Sequence, residues 1–359
     1  MRRNAIFVIA VATIGTACAP KDRPAPPEAP ASAGTVPGGT GELVYVTNED
    51  SRNLSVIDAA TDSVVATIEV GTRPRGVKVS PDGRTVYVAL SGSPKCPPTM
   101  PDEECEKLKS DRSKDGVAVV DVSTRTTIKI LPSGLDPETF DVTQDGSRLI
   151  ISNEDADSAT IVDLATGKAI SNVRVGREPE GVGIAPDGRT VWITGETDHD
   201  ITGIDLATGK VVATIDVMGK RPRGIGFLPD GSRAYVTNEV SSTVSVIDLQ
   251  AKKTLKQITF PESARPMGVL IPPDGKRVYI TTGRGKSISV IDPATDKIVQ
   301  SVEVGTRPWG IAMTSDGKKL YTANGPDNTA TVVDAATMTV LKKIPVGSVP
   351  WGVAIGPKP

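Results

Sequence analysis

Histidine is almost missing from this chain: His199 is the single one in 359 residues. That scarcity excludes three-histidine zinc sites, copper clusters and catalytic groups built from several imidazoles. No Cys-x-x-Cys-His run occurs, which excludes covalent c-type haem. Aromatic residues make up only 3% of the chain, and the formal net charge is -2. With no global basic field, nucleic acid is not an expected partner. Glycine (35 residues) and proline (29) are plentiful instead. Glycine supplies positive φ and proline presets φ, so this composition fits many short strands joined by tight turns.

Those strands come in repeats. An aspartate closing a short apolar run recurs at Asp58, Asp121, Asp163, Asp205, Asp248, Asp292 and Asp334, with gaps of 63, 42, 42, 43, 44 and 42 residues. The proline of an x-Pro-x-Gly turn recurs at Pro74, Pro137, Pro179, Pro222, Pro266, Pro308 and Pro350. Its gaps are 63, 42, 43, 44, 42 and 42 residues, so both series agree and the long gap marks an insertion of 21. One unit reads as strand a, Gly224 to Leu228, a Pro229-Asp230-Gly231 turn, strand b from Arg233 to Thr237, strand c from Val244 to Asp248, and strand d from Lys253 to Thr259. Four short strands per repeat predict a blade, and seven repeats predict an all-β, seven-bladed β-propeller of four-stranded antiparallel sheets. The chain enters on strand b (Leu43 to Thr47) and ends on strand a (Gly352 to Gly356). The last strand is therefore expected to complete the first blade. The x-Pro-x-Gly loops and the b-to-c hairpins then share one face. The two repetitive turns, Pro-Asp-Gly and Asp-x-x-Thr, share the other. Variable loops carry function, so the first face is the expected functional one.

The N-terminal segment reads as an export signal. Arg2 and Arg3 precede an apolar stretch, Ala5 to Gly15, that is too short for a lasting bilayer span. Gly15-Thr16-Ala17-Cys18 is similar to a bacterial lipobox, in which Cys18 takes a lipid and becomes the mature N-terminus. Expected boundaries are a signal peptide over 1–17, a Pro/Ala/Gly-rich tether over 18–41, and a propeller over 42–359 with an insertion at 91–115. The expected location is a membrane-anchored lipoprotein facing the periplasm, or a free periplasmic or secreted monomer where Cys18 is not modified. Cys96 and Cys105 lie in the insertion, which interrupts a b-to-c hairpin and overhangs the functional face. Export favours a disulfide between them; a metal pair or free thiols are the alternatives.

Tyr45-Val46-Thr47-Asn48 and Tyr235-Val236-Thr237-Asn238 resemble the YVTN family of β-propellers, over Leu43 to Pro357. A narrower resemblance rests on Ser133-Gly134-Leu135-Asp136-Pro137-Glu138, Ser152-Asn153-Glu154-Asp155, Glu178-Pro179-Glu180-Gly181 and Gly195-Glu196-Thr197. These are similar to the propeller associated with pyrroloquinoline quinone (PQQ)-dependent alcohol catabolism. That resemblance implies a link to periplasmic quinoprotein alcohol oxidation rather than an activity. The quinoprotein dehydrogenases themselves resemble longer, eight-bladed propellers with adjacent cysteines, and this chain has neither feature.

One residue per repeat follows the proline, where strand a enters the channel. In ring order these are Trp351, Arg75, Glu138, Glu180, Arg223, Met267 and Trp309. The order predicts a polarised mouth that binds a protein, peptide or small ligand. Met267, Trp309 and Trp351 supply contact area, and Glu138 and Glu180 face a cationic group with Arg75 and Arg223 tuning their charge. No cofactor is expected and catalysis is not the preferred reading. The alternative is a lactonase-like hydrolase. The resemblance to lactonase propellers, some of which hold a divalent cation in the channel, implies ligands among Glu138, Glu154, Glu180, Glu196 and Glu239 and the amides of Asn48, Asn153, Asn238 and Asn324. His199 is a candidate base in a b-to-c loop, with a solvated loop histidine as the plainer reading.

Overall fold

A computed structural model describes residues 41–95, 102–105 and 107–359 of the chain. The expected signal segment and tether, lipidation at Cys18 and the Cys96–Cys105 bond fall outside those residues.

Seven four-stranded antiparallel sheets follow one another around a ring. The fifth blade consists of Pro222–Phe227, Arg233–Asn238, Thr243–Asp248 and Lys253–Thr259, from the channel outward. The first blade is assembled from both ends of the chain. Pro350–Pro357 is its innermost strand, beside Glu42–Asn48, with Leu43 opposite Gly356 and Val46 opposite Val353. Strands b and c are buried almost throughout, because each lies between two neighbouring sheets. Strand d is mostly exposed and reads as alternating or polar. The core consequently sits between blades. Val44, Val46 and Ile57 of the first blade, for example, pack on Tyr321, Ala323 and Val332 of the seventh.

Inner strands start two residues earlier than the sequence pattern indicates, at the proline itself. Pro222 pairs with Asn238, and the register then shifts before Ile225 pairs with Val236. Proline needs no donor at an inner edge, and the bulge after it absorbs the extra residues. On the turn face the aspartate series caps backbone, as its position predicts. Asp163 Oδ1 accepts from Thr166 N at 2.7 Å and Asp334 Oδ1 from Thr337 N at 2.7 Å. Two of the YVTN-type tyrosines staple neighbouring blades. Tyr235 donates to Asp296 at 2.7 Å and Tyr321 donates to Asp62, the second link running across the ring closure. Among the described residues no helix is long and apolar enough to cross a membrane.

Candidate functional site

Each loop from strand d to the next strand a presents the two residues that flank its proline. The residue before proline is left-handed in all seven blades: Arg73 (φ 44°), Asp136 (54°), Glu178 (51°), Arg221 (61°), Arg265 (56°), Arg307 (52°) and Val349 (54°). Such a backbone is costly for a branched side chain like Val349, so its surroundings must hold it. The residue that follows strand b does so. Glu49 N donates to Val349 O, Glu154 N to Asp136 O and Glu239 N to Arg221 O, each at 2.9 Å. That bond also sets a glutamate side chain over the loop.

The residue after proline is fixed by the threonine of the YVTN pattern. Thr194 Oγ1 accepts from Gly181 N of its own blade at 2.7 Å and donates to Arg223 O of the next at 2.9 Å. Thr47 repeats this between Gly352 N (2.7 Å) and Arg75 O (2.7 Å). The adjoining glycine is required: a Cβ on Gly181 would lie 2.1 Å from Arg223 O, and one on Gly352 would lie 2.5 Å from Arg75 O. The asparagine of the pattern looks inward. Asn48, Asn153, Asn238 and Asn324 are fully buried, and each donates its Nδ2 to the neighbouring strand, as Asn238 does to Ser245 Oγ at 2.8 Å. These amides therefore belong to the blade interior and do not offer themselves to a cation in the mouth.

The result is a cavity of about 930 Å³ on the loop face, lined by Arg75, Glu138, Glu180, Arg223, Trp309 and Trp351 among others. Met267, at 1% exposure, lies deeper and lines the channel below. The charged members pair with one another across blades. Arg75 bonds Glu138 and Asp136, and Arg223 bonds Glu180, with Glu196 at 2.8 Å and Glu239 at 2.9 Å. All four of the expected charged residues are buried, at 4–6% exposure. They form the floor of the mouth, and their buried pairing makes them part of its structure. Beside them Trp309 and Trp351 stack with ring centroids 5.0 Å apart and planes 20° from parallel. The guanidiniums of Arg223 and Arg307 each lie 5.3 Å from the centre of the Trp309 ring, a cation–π arrangement.

The insertion does overhang this face. Ser93, Pro94, Lys95, Leu108 and Ser110 line the cavity. Lys95 ties to Asp50 of the first blade at 2.6 Å and Arg112 to Asp155 of the third at 2.5 Å, so the segment is braced on both sides of its own blade. His199 does not line the cavity. It sits in its hairpin with φ 61°, and its Nδ1 lies 2.8 Å from the Glu196 carbonyl.

Carboxylates crowd the floor. One oxygen each from Glu154, Glu180 and Glu196 lies within 4.8 Å of the others, and Asp136, Glu138 and Glu154 form a second such group. Burial pushes the Glu196 carboxyl up to about 8, with Arg221 opposing and Glu154 reinforcing the shift. Burial also raises Glu154, which Arg75 only partly offsets. Glu239 is held low despite its burial, by Arg223 and Arg221. In each group two of the three carboxylates already pair with a guanidinium, Asp136 and Glu138 with Arg75 and Glu180 and Glu196 with Arg223, so a divalent cation would have to compete with those pairs for its oxygens.

Sequence reasoning missed the residues before proline. Arg73, Arg221, Arg307 and Asp136 all line the mouth. The signal was present in the x-Pro-x-Gly repeat, but a residue before proline normally reads as extended and unremarked.

A family profile described as "Lactonase, 7-bladed beta-propeller" matches residues 39–174 and 182–345. The chain belongs to that family. Among curated relatives, antigen Lp49 of Leptospira interrogans is 30% identical over 118 residues, which are 33% of this lactonase-type propeller and 24% of the antigen. The alignment thus spans about a quarter of that relative's length. Among solved structures, Kuenenia stuttgartiensis hydrazine synthase superposes with a TM-score of 0.67 at 22% identity, over 78% of this chain and 89% of the other. A candidate 6-phosphogluconolactonase of Bacteroides fragilis gives a TM-score of 0.69 at 18% identity, over 88% and 98%. At those identities the two structures speak to the fold alone.

Proposed function

We propose that this lactonase-type propeller is an exported, lipid-anchored binding scaffold whose mouth recognises a partner or small ligand. The observation that carries the reading is the Trp309–Trp351 stack beside a buried ring of ion pairs, at the floor of a 930 Å³ cavity. Binding sites of this kind combine aromatic contact area with a few fixed polar groups. Arg2, Arg3, the short apolar stretch and Cys18 support export and anchoring. The first described residue, Gly41, precedes strand b and so lies on the turn face. The residues resembling the PQQ-associated propeller support a link to quinoprotein alcohol oxidation, because Asp136, Glu138, Glu154 and Glu180 line the mouth.

Calorimetry with a purified quinoprotein alcohol dehydrogenase tests this. Wild type is expected to bind, with Arg307→Ala and Trp351→Ala weakened at least tenfold while melting normally. Binding equal to wild type in both variants would place the partner surface elsewhere.

A second reading, lactone hydrolysis, is favoured by the family and by Glu196, a carboxyl poised near neutral pH beside Arg223. Sustained proton release from a sugar lactone in a pH-stat, lost in Glu196→Gln, would select it over the scaffold.

A further inference from the structure

Below the mouth lies a second space, and the two share a boundary. The channel between the inner strands holds about 440 Å³ and is walled by glycine backbone and aliphatic side chains, including Val77, Val182, Ile225, Val269, Ile311 and Val353. Glu180, Arg223, Trp309 and Trp351 line both spaces. Along its axis the ring is thus charged and aromatic above and mostly hydrocarbon below, with Lys78 and Thr139 as polar lining residues of the lower space. Water in an apolar channel finds few partners, so an apolar group that replaces it gains free energy.

The mouth above has one distinctive cation. Arg73, Arg75, Arg221 and Arg223 each have a carboxylate oxygen within ion-pair distance. Arg307 is exposed and has no such partner among the described residues, although it lines the cavity. Its guanidinium lies 5.3 Å from the centre of the Trp309 ring, within the field of Glu239 and Arg223 but bonded to neither, and Trp309 is also part of the upper wall of the channel. A free guanidinium therefore stands next to the entrance of an apolar tube.

We propose that this throat takes an amphiphilic anion, its carboxylate on Arg307 and its hydrocarbon tail running past Trp309 into the channel. The inference rests on the mouth being a binding site and names the class of ligand. The head gains a charge-assisted hydrogen bond from a guanidinium that needs no ion pair broken first. The tail meets the aliphatic walls of Val269, Ile311 and Val353.

Calorimetry with hexanoate, octanoate and neutral 1-octanol tests it, below the concentrations at which they aggregate. Binding should tighten about fourfold for each methylene fully buried, roughly tenfold or more from hexanoate to octanoate. Arg307→Ala should weaken octanoate to the level of 1-octanol. Ile311→Trp, which fills the channel, should remove the dependence on chain length. Ile355→Trp fills it from another blade and serves where the first variant melts early. Equal affinity for both acids, still lost in Arg307→Ala, would overturn the channel and leave the mouth standing. Octanoate binding indifferent to Arg307→Ala and to both fillings would overturn the proposal and count against the mouth as well. No binding of either acid would overturn the proposal.

Discussion

The two faces of the ring use the same side chain in opposite ways. On the turn face, Asp163, Asp205 and Asp334 are held below the usual carboxylate range by hydrogen bonds from Thr166, Thr208 and Thr337. Asp316 reaches about 2, through the Thr314 hydroxyl and the Lys318 backbone N–H. On the loop face, burial raises Glu154 and Glu196 even though arginines stand beside them. What aims at a carboxylate in water-accessible geometry decides its charge at one end. At the other, lost hydration wins for Glu154 and Glu196, while the arginines win for Glu239 and Asp136. The repeated aspartates stabilise turns, while the glutamates make a floor whose charge is balanced by Arg73, Arg75, Arg221 and Arg223.

The largest expected effect removes both faces at once. Deleting Pro350 to Pro359 opens the first blade and leaves the edge of Glu42–Asn48 unpaired. The truncated protein is expected to lose its cooperative melting transition; a melt like that of the full chain would mean the ring does not need its closing strand. Next comes Arg223→Met, which strands Glu180 and leaves Glu196 and Glu239 with Arg221 alone. Removing one partner of buried ion pairs costs about 3–5 kcal/mol, read as a lower urea midpoint. Glu180→Gln should cost less, because Arg223 keeps its other two carboxylates. It should nevertheless lower stability as well as binding, since Glu180 is buried in the floor.

A pH series separates the faces by sign. The folded protein binds a proton on Glu196 up to about pH 8, whereas an unfolded glutamate releases it near its ordinary value of 4.5. Stability from this group is full below the ordinary value and falls as pH rises toward 8. Glu196→Gln should flatten that decline in melting temperature between pH 5 and pH 8.5, both values being chosen to bracket the window. Asp316 works the other way: its contribution is present above the ordinary value of 3.8 and is lost as pH falls toward 2. If Glu196→Gln keeps the wild-type slope, the contrast between the faces fails at its mouth end. The smallest effect is Asp163→Ala, which removes one exposed turn cap of seven and should move the melting temperature less than any mouth variant.

The period, the four strands, the closing strand and the turn aspartates are legible in the sequence because each is local or repeats at fixed spacing. The mouth is legible only in part. The post-proline residues Arg75, Glu138, Glu180 and Arg223 are found by position, but the pattern does not tell that they are buried and mutually paired, since that depends on which blades become neighbours. Arg307 escapes because the x-Pro-x-Gly repeat marks its position, but a residue before proline normally reads as extended and not as left-handed and facing the mouth. Blade four shows a subtler limit. Gly195 stands where four other blades have asparagine, and the Asp200 carboxylate from the facing strand fills that space against Gly176. Its Oδ1 has no donor, and burial together with Asp198 raises it to about 6. A strand pattern cannot reveal such an exchange of roles between two strands.

The closing strand also sets a timetable. Glu42 pairs with Pro357, so a residue made near the start of the propeller waits for one made near its end. At ribosomal rates of about 5–20 residues per second, that wait is roughly 15–60 s. Throughout it the inner edge of the first blade has no partner, while the later blades can form their hairpins locally. The nascent chain is therefore a ring with an open seam, and the time before the seam shuts is when it is most vulnerable to pairing with another chain.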